Sequence, residues 1–198
     1  MFKQDGAKIS DQFLWESYRS GDPAAYTMLI KNYFNPLFRY GIRFIDDDDF
    51  VKDCIQDVFL SLWNSRANIG PAASVKSYLF KALRMRIFRE KSKWGVAEVL
   101  DENYTFMIEF NIENKLIEEQ SSEETRLKII NALNLLPKRQ KEVLYLRFYE
   151  SLDHDRIAQV MGVNKQSVYN LLHDAIGHLR KVWFQEVILL LTLCLKNS

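Results

Sequence analysis

The side chains of this chain that are best suited to specific chemistry lie between Asp153 and Arg180, and that chemistry is hydrogen bonding to nucleic-acid bases. Amide side chains can bond adenine bidentately, lysine can bond guanine, and serine can bond several bases. Residues of these types recur on the outward face of a predicted helix, and one further basic side chain lies near the end of that helix. Contact with the major groove of a DNA duplex is therefore predicted for Lys165, Gln166, Ser167, Tyr169, Asn170, His173 and Arg180.

A helix-turn-helix, two helices that cross steeply over a short turn, is predicted to hold this outward face. Asp153 and Asn164 are suited to cap the two helices, because their side chains can accept from free backbone N–H groups. Gly162 adopts the left-handed backbone that ends the first helix without steric cost. A helical hairpin with a merely solvated polar face is the alternative, and the regular apolar spacing favours DNA binding. The residues predicted to point inward are Ile157, Ala158, Met161, Val168, Leu171, Leu172, Ala175, Ile176 and Leu179.

Residues 74–93 predict a helix rich in basic and aromatic side chains, with Glu90 as its one acid. An opened DNA strand needs cations for its phosphates and flat side chains for its unstacked bases, so this composition suits single-stranded DNA. The alternative is that the large side chains pack in the core and the basic side chains only keep the helix soluble. This alternative is favoured for Tyr78, Leu79 and Leu83. The candidate strand contacts are Lys76, Lys81, Arg84, Arg86 and Arg89.

Residues 49–64 predict another helix, whose apolar stripe is too wide for one buried face. Two interpretations stay open on the pattern alone. The helix is either buried on most sides within a bundle, or it presents a mixed acidic and apolar face to a protein partner. The candidate docking residues are Asp53, Gln56, Asp57, Leu60 and Trp63.

Two further helices are predicted upstream. The first covers residues 10–20, and the second begins at Pro23, which suits the first helical position, behind Asp22 as its cap. The inner side of the first helix is predicted to carry Phe13, Leu14 and Tyr18.

Composition favours an all-α protein in a reducing compartment. Hydrophobic residues make up 47% of the 198 residues, enough for a packed core, while glycine and proline are scarce. The two cysteines, Cys54 and Cys194, are far apart in sequence, so no disulfide framework is expected. No basic region followed by an apolar run opens the chain, so we expect no signal peptide and a cytoplasmic location.

The net charge of +1 hides three blocks of different sign. Residues 1–94 carry 15 basic and 11 acidic side chains, residues 95–124 carry 1 and 9, and residues 125–198 carry 11 and 6. Such asymmetry indicates nucleic-acid contact by the two basic blocks and a different task for the middle. The predicted organisation is two small helical domains, 8–94 and 123–198, joined by an acidic linker, 95–122.

No catalytic constellation emerges from the sequence. The three histidines, His154, His173 and His178, all lie in the predicted helix-turn-helix, without cysteine or carboxylate at metal-ligand spacing. Neither a glycine-rich phosphate loop nor a nucleophile elbow is present. We therefore expect no enzyme activity, no metal, no cofactor and no small-molecule substrate.

The apolar tail, Val182–Leu195, is shorter than the roughly 20 residues that span a bilayer. It predicts a last helix that covers an apolar patch of the C-terminal domain. An interfacial anchor or a partner contact is the less favoured alternative.

Four stretches carry a common pattern in order along the chain: Asp53–Trp63, Ser77–Arg84, Leu136–Leu144 and the predicted helix-turn-helix. Together they resemble the extracytoplasmic-function sigma factors of bacterial RNA polymerase. The apolar tail and the run 144–150 further resemble the Bacteroidetes branch of that family.

The resemblance implies a function for each part. The Asp53–Trp63 helix would dock on the polymerase clamp, and residues 64–93 would melt and read the minus-ten element. The acidic linker would thread the RNA exit path, and the C-terminal domain would read the minus-thirty-five element. Core RNA polymerase, promoter DNA and an anti-sigma factor are the implied partners.

Two positions depart from the family pattern. Met85 stands where asparagine is usual in the promoter-melting helix, and Ser151 stands where glycine is usual before the helix-turn-helix. The first departure bears on the strength or mode of melting, and the second is expected to be a tolerated change in a turn.

A stand-alone helix-turn-helix regulator with an N-terminal helical sensor domain is the alternative function. Such a regulator would bind a duplex by itself, usually as a dimer with half-sites about one turn apart. A sigma factor would need core polymerase and a two-part, non-palindromic site. The basic, aromatic helix at residues 74–93 favours the sigma factor, because a sensor domain does not need it.

Overall fold

The computed structural model describes residues 10–93, 104–107 and 130–196, with side chains as far as Lys181. Within those ranges every regular element is helical, so the all-α prediction is confirmed. The chain divides into two compact units, and each is described separately below. The N-terminal unit comprises Met1–Asn103 with Gln159–Gly162, and the C-terminal unit comprises Tyr104–Ala158 with Val163–Ser198.

Residues 10–93, the part of the N-terminal segment that the structure describes, form four helices, and side-chain caps begin the first three. Ser10, Asp22 and Asp47 each accept a hydrogen bond from a first-turn backbone N–H, at 3.2, 2.8 and 3.0 Å. Pro23 occupies the start of the second helix, as predicted. The helices are α1 (Asp11–Arg19), α2 (Pro23–Gly41), α3 (Asp48–Ser65) and α4 (Val75–Lys93).

The buried face of α1 differs from the prediction at one residue. Leu14 and Tyr18 are buried as predicted, but Phe13 is 62% exposed, so its predicted inward position is wrong. Trp15 is fully buried instead, and its indole N–H donates to the carbonyl of Gly70 at 3.3 Å. Three large side chains in succession cannot share one helical face, and burying the largest removes the most apolar surface from water.

Helices α2 and α3 approach each other closely at Gly41, which is buried. A Cβ atom built there would lie 2.5 Å from Cγ1 of Val51, far inside van der Waals contact. Val51 is itself fully buried and stiff at its first side-chain torsion. Only glycine therefore allows this approach, which sets the position of α3 relative to α2.

The described part of the C-terminal unit begins with helical residues 130–134 and is built from short elements around one long helix. After Leu144 the chain widens into a π-helical turn, in which the N–H of Glu150 donates to the carbonyl of Tyr145 at 3.1 Å. The elements are α5 (Lys138–Leu144), the π-helical turn (Tyr145–Tyr149), α6 (His154–Met161) and α7 (Lys165–Lys196).

The apolar tail does not form a helix of its own. Its backbone continues α7 without a break, so that α7 runs for 32 residues. The tail is thus helical, as predicted, but as the end of α7 and not as a further helix. Its predicted contact with an apolar patch falls on side chains outside the described ones. Among the described helices, none combines the length and the apolar content needed to cross a membrane.

A short piece of the predicted acidic linker packs on α5. Tyr104 and Phe106 are buried while Thr105 and Met107 are exposed, the alternation of an extended segment lying on a surface. The Tyr104 hydroxyl donates to Oε2 of the fully buried Glu142 at 2.5 Å. The Phe106 ring meets Tyr145 edge-on, with centroids 5.8 Å apart. The acidic composition of the linker did not signal this attachment, and its other residues lie outside the described ranges.

Ser151, in the turn before α6, has a φ of 55°. This left-handed backbone costs an L-residue about 1–2 kcal/mol, whereas glycine adopts it freely. The usual glycine at this position therefore has a physical reason, and the serine of this chain is accommodated with strain.

Replacing Ser151 with glycine should stabilise the protein by up to about 1 kcal/mol, because the relieved strain exceeds the added freedom of the unfolded chain. Ser20→Gly is the matched control, since Ser20 has a φ of −74° and should lose stability on the same change. Chemical denaturation of both variants measures the difference. Equal destabilisation by the two substitutions would contradict the strain at Ser151.

Candidate nucleic-acid interface

The helix-turn-helix formed by α6 and α7 has the predicted caps and turn. Oδ1 of Asp153 accepts from the N–H of Arg156 at 2.9 Å, and Oδ1 of Asn164 accepts from the N–H of Ser167 at 2.7 Å. Gly162 between the two helices has a φ of +68°. These contacts fix where α7 begins and therefore which of its side chains lead.

The inner faces of α6 and α7 confirm most of the predicted stripe. Ile157, Ala158, Met161, Val168, Leu172 and Ala175 are buried. Leu171 and Leu179 are half-buried, but Ile176 is 40% exposed, so its predicted inward position is wrong. Ile176 thus adds apolar surface to the outside of α7, while His178, farther along, still meets Gln140 of α5 at 2.8 Å.

The outward face of α7 carries the predicted base-reading side chains. Gln166 Nε2 donates to Asn170 Oδ1 at 3.1 Å, which holds two amide groups side by side. The ring of Tyr169 stacks on that of His154, with centroids 4.2 Å apart. All members are exposed except Ser167, which is half-buried at the edge of the face. An ordered row of donors and acceptors of this kind is what reading a major groove requires.

The two ends of this face differ in electrostatics. Nζ of Lys165 lies 2.8 Å from Oδ2 of Asp155, and this hydrogen bond and charge raise the pKa of the lysine. Arg180 is exposed and lies about 22 Å farther along the axis, at ~1.5 Å per residue. That distance takes Arg180 away from the bases nearest the start of α7, so it is suited to phosphate contact.

In the N-terminal unit, α4 displays only part of the predicted strand-binding set. Lys81 and Arg89 are exposed, while Lys76 is half-buried with its ammonium 5.7 Å from the Phe80 ring centroid. Arg84 is 4% exposed, and its guanidinium lies 4.5 Å from the centroid of Phe88. Arg84 therefore packs in the interior of the unit, unlike its exposed basic neighbours, and its contact with a DNA strand stays a prediction.

The aromatic residues of α4 divide in the same way. Phe80 is fully buried, and Phe88 packs edge-on against Phe44 with centroids 5.5 Å apart. Tyr78 is half-buried against Trp15, at 5.1 Å, and also lines a surface cleft. The interpretation of these side chains as core is thus confirmed for Phe80, and Leu79 and Leu83 are fully buried as predicted. Trp94 lies outside the described residues.

The cleft lies between α3 and α4 and has a volume of about 160 Å³. Its α4 wall includes Tyr78, Met85, Arg86 and Arg89, and its α3 wall includes Asp57. Flat, flexible and cationic side chains thus meet in one open groove beside the exposed basic residues Lys81 and Arg89. This combination suits one segment of an unpaired strand.

The burial pattern of α3 decides between the two interpretations that its sequence left open, which are burial on most sides and an exposed mixed face. Ile55, Val58 and Leu62 are buried on one side, whereas Leu60, on the other side, is 57% exposed. Asp53 and Gln56 are also exposed, and Asp57 and Trp63 are half-buried. The helix is therefore not buried on most sides, and the five candidate docking residues share its outer face.

Trp63, at one end of this outer face, has two side-chain neighbours that restrict its ring. Its ring lies 4.8 Å from that of Tyr26, and the guanidinium of Arg66 stands 4.3 Å from its centroid. A fixed aromatic beside an exposed leucine and two exposed polar groups is the composition of a protein-docking surface.

Cys54, in α3, is not placed to act as a nucleophile. Cys54 is buried in α3, and burial raises the pKa of its thiol to about 11. A thiol so buried stays protonated and is a poor nucleophile. No group of three His, Cys, Asp or Glu in the described residues is placed to hold a metal ion.

Residues 126–179 match the family model for sigma-70, region 4. The chain is 26% identical over 151 residues to the RNA polymerase sigma factor SigV of Bacillus subtilis (strain 168), covering 76% of this chain and 86% of SigV. It is 22% identical over 145 residues to the ECF RNA polymerase sigma factor SigK of Mycolicibacterium vanbaalenii, covering 72% and 74%.

A solved structure shows a similar fold. The sigma factor RpoE, in complex with the anti-sigma factor NepR from Bartonella quintana, has a TM-score of 0.56 to this chain at 17% identity. The similarity covers 80% of this chain and 96% of that one. The helical architecture is thus shared over nearly all of the compared structure.

Replacing Gln166 with alanine should lower the affinity for the preferred duplex by about 1–3 kcal/mol and relax the preference at one base position, because a bidentate contact is lost. Arg180→Ala is the control and should weaken all sequences alike, with a flatter salt dependence. Binding to a randomised duplex, scored in the presence of core RNA polymerase, separates the two effects. Uniform weakening by Gln166→Ala with the base preference intact would contradict base reading by this residue.

Proposed function

We infer that this chain belongs to the extracytoplasmic-function branch of the sigma-70 family and acts as a sigma factor, which binds core RNA polymerase and directs promoter recognition and transcription initiation. The observation that carries this function is the match to RNA polymerase sigma factors over 151 residues, a span longer than either unit alone. A stand-alone regulator is disfavoured, because such a protein would share only the helix-turn-helix with sigma factors. The further resemblance to the Bacteroidetes branch stays a prediction.

The partners follow from this function. They are core RNA polymerase, promoter DNA and an anti-sigma factor, the last supported by the complex in which the similar RpoE was solved. The role is regulatory, and catalysis of RNA synthesis belongs to the polymerase. We place the protein in the cytoplasm, where core polymerase and promoter DNA are found.

Each exposed face is assigned one partner. The outer face of α3, with Leu60 at its centre, docks on the polymerase, because it combines exposed acids with apolar surface. The exposed bases Lys81 and Arg89 of α4, with the adjacent cleft, take the opened minus-ten strand. The outward face of α7 reads the upstream duplex. The acidic segment 95–122 passes through the RNA exit path, where its charge would mimic that of RNA.

In vitro transcription tests the function directly. Core polymerase alone and core polymerase with this protein are compared on a promoter library, and the protein should produce specific transcripts from two-part, non-palindromic sites. A regulator would instead bind a palindromic duplex without polymerase. Transcription that is unchanged by the protein on every template would contradict a sigma factor.

Replacing both Lys81 and Arg89 with alanine should reduce promoter opening several-fold while leaving polymerase binding intact, because the strand loses two phosphate contacts. Permanganate reactivity of unpaired thymines measures the opening. The control replaces Lys31 and Lys52, which lie on α2 and α3, and removes the same charge away from the cleft. Normal opening by the Lys81/Arg89 variant would return these bases to a merely solubilising role.

A further inference from the structure

An ion pair joins the candidate docking face to the candidate strand-binding cleft. The guanidinium of Arg86, on α4, lies 2.5 Å from Oδ2 of Asp57, on α3. The same Nη2 atom lies 3.0 Å from Oε1 of Glu90, one turn farther along α4. One guanidinium is thus shared between a carboxylate of the docking face and a carboxylate of its own helix.

Both members of the pair remain within reach of solvent. The side chain of Arg86 is 28% exposed and that of Asp57 is 43% exposed. Both also line the cleft, together with Arg89. The pair is therefore not sealed in the core, and either member can exchange its partner for a charge that arrives from outside.

The position of Asp57 makes such an exchange depend on docking. It is one of the five outer-face residues of α3, one helical turn from the exposed Asp53 and close to Leu60. A protein that covers this face brings its own cations to the carboxylates, because an acidic patch attracts complementary charge. A cation of the docked protein would then neutralise the carboxylate of Asp57, the acid nearest to Arg86.

We propose that Asp57 masks Arg86 in the free protein and that docking of α3 transfers the carboxylate to a basic group of the polymerase, which frees Arg86 to bind a phosphate of the opened strand in the cleft. This proposal rests on the proposed function and adds a mechanism to it. Glu90 keeps the guanidinium oriented along α4 during the exchange. Strand binding by α4 is thereby weak before assembly and stronger after it.

The alternative for this pair is a fixed tie that only holds α3 against α4. A fixed tie would make Asp57 and Arg86 equally important for stability and irrelevant to strand affinity in the free protein. The two possibilities therefore differ in what happens when the carboxylate alone is removed.

The test measures binding of a fluorescent oligothymidylate to the free protein at low salt. Asp57→Asn should tighten binding about five- to tenfold and steepen the salt dependence by ~0.7, the slope expected for one added single-strand phosphate contact. Asp53→Asn is the matched control: it removes the same charge from the same helix face without releasing Arg86, and should change affinity by less than about twofold.

A second substitution shows whether Arg86 is responsible. Arg86→Ala should change strand binding little in the free wild-type protein, abolish the gain in the Asp57→Asn background, and reduce permanganate reactivity in the complex with core polymerase. A gain equal to that of Asp53→Asn, or one that survives Arg86→Ala, would overturn the masking. Thermal melting confirms that each variant is folded, and Asp57→Ser replaces Asp57→Asn if the latter lowers the melting temperature.

The strand-binding arm contains no polymerase, so its failure is separable from failure of the proposed function. If Asp57→Asn has no effect while the wild-type protein still directs transcription, masking is wrong and the sigma function stands. If masking holds but core polymerase gives no specific transcript, the ion pair controls strand binding in a protein of another function.

Discussion

Burial of one face of each helix is the constraint on which every exposed group of this protein depends. A helix presents its side chains at fixed angular positions, so packing one face against a core determines which residues face outward. In α3 the burial of Ile55, Val58 and Leu62 leaves Asp53, Gln56 and Leu60 outside. In α7 the burial of Val168 and Ala175 does the same for Gln166 and Asn170. Core packing thus determines which side chains form the proposed recognition faces, and the caps and turns determine at which residue each helix begins.

That dependence explains what the sequence could predict. Hydrophobic periodicity and capping residues are local signals, so Asp22, Asp153, Gly162 and Asn164 were assigned correctly, and with them the boundaries of the helix-turn-helix. Family resemblance supplied the function, which local patterns alone left open between a regulator and a sigma factor. Local patterns also indicated that the outer face of α3 was unusual, although they could not say whether it was exposed.

The predictions failed where rotation of a helix or a contact distant in sequence decided the outcome. Arg84 was counted with its basic neighbours, yet it lies on the inner side of α4 and stacks on Phe88. Phe13 and Trp15 point to nearly opposite sides of α1, so only one of them can face the core, and packing selects Trp15. Tyr104 binds Glu142, which is 38 residues away along the chain, and no short pattern encodes such a pair. The acidic composition of the linker predicted no such contact, because acidic residues are typical of an extended, solvated segment.

The two proposed nucleic-acid faces share one feature, although their partners differ: each contains an ion pair. Each carries a basic residue already bonded to an acid of its own unit: Lys165 to Asp155 in one, and Arg86 to Asp57 in the other. Binding a phosphate must therefore displace an internal carboxylate, which subtracts from the affinity of the isolated protein. The small excess of basic over acidic side chains in residues 1–94 and in residues 125–198 points in the same direction, since long-range attraction to DNA scales with net charge. The proposed sigma factor would therefore gain promoter affinity chiefly when the polymerase holds both of its units on one DNA, because two weak contacts at fixed spacing then act together.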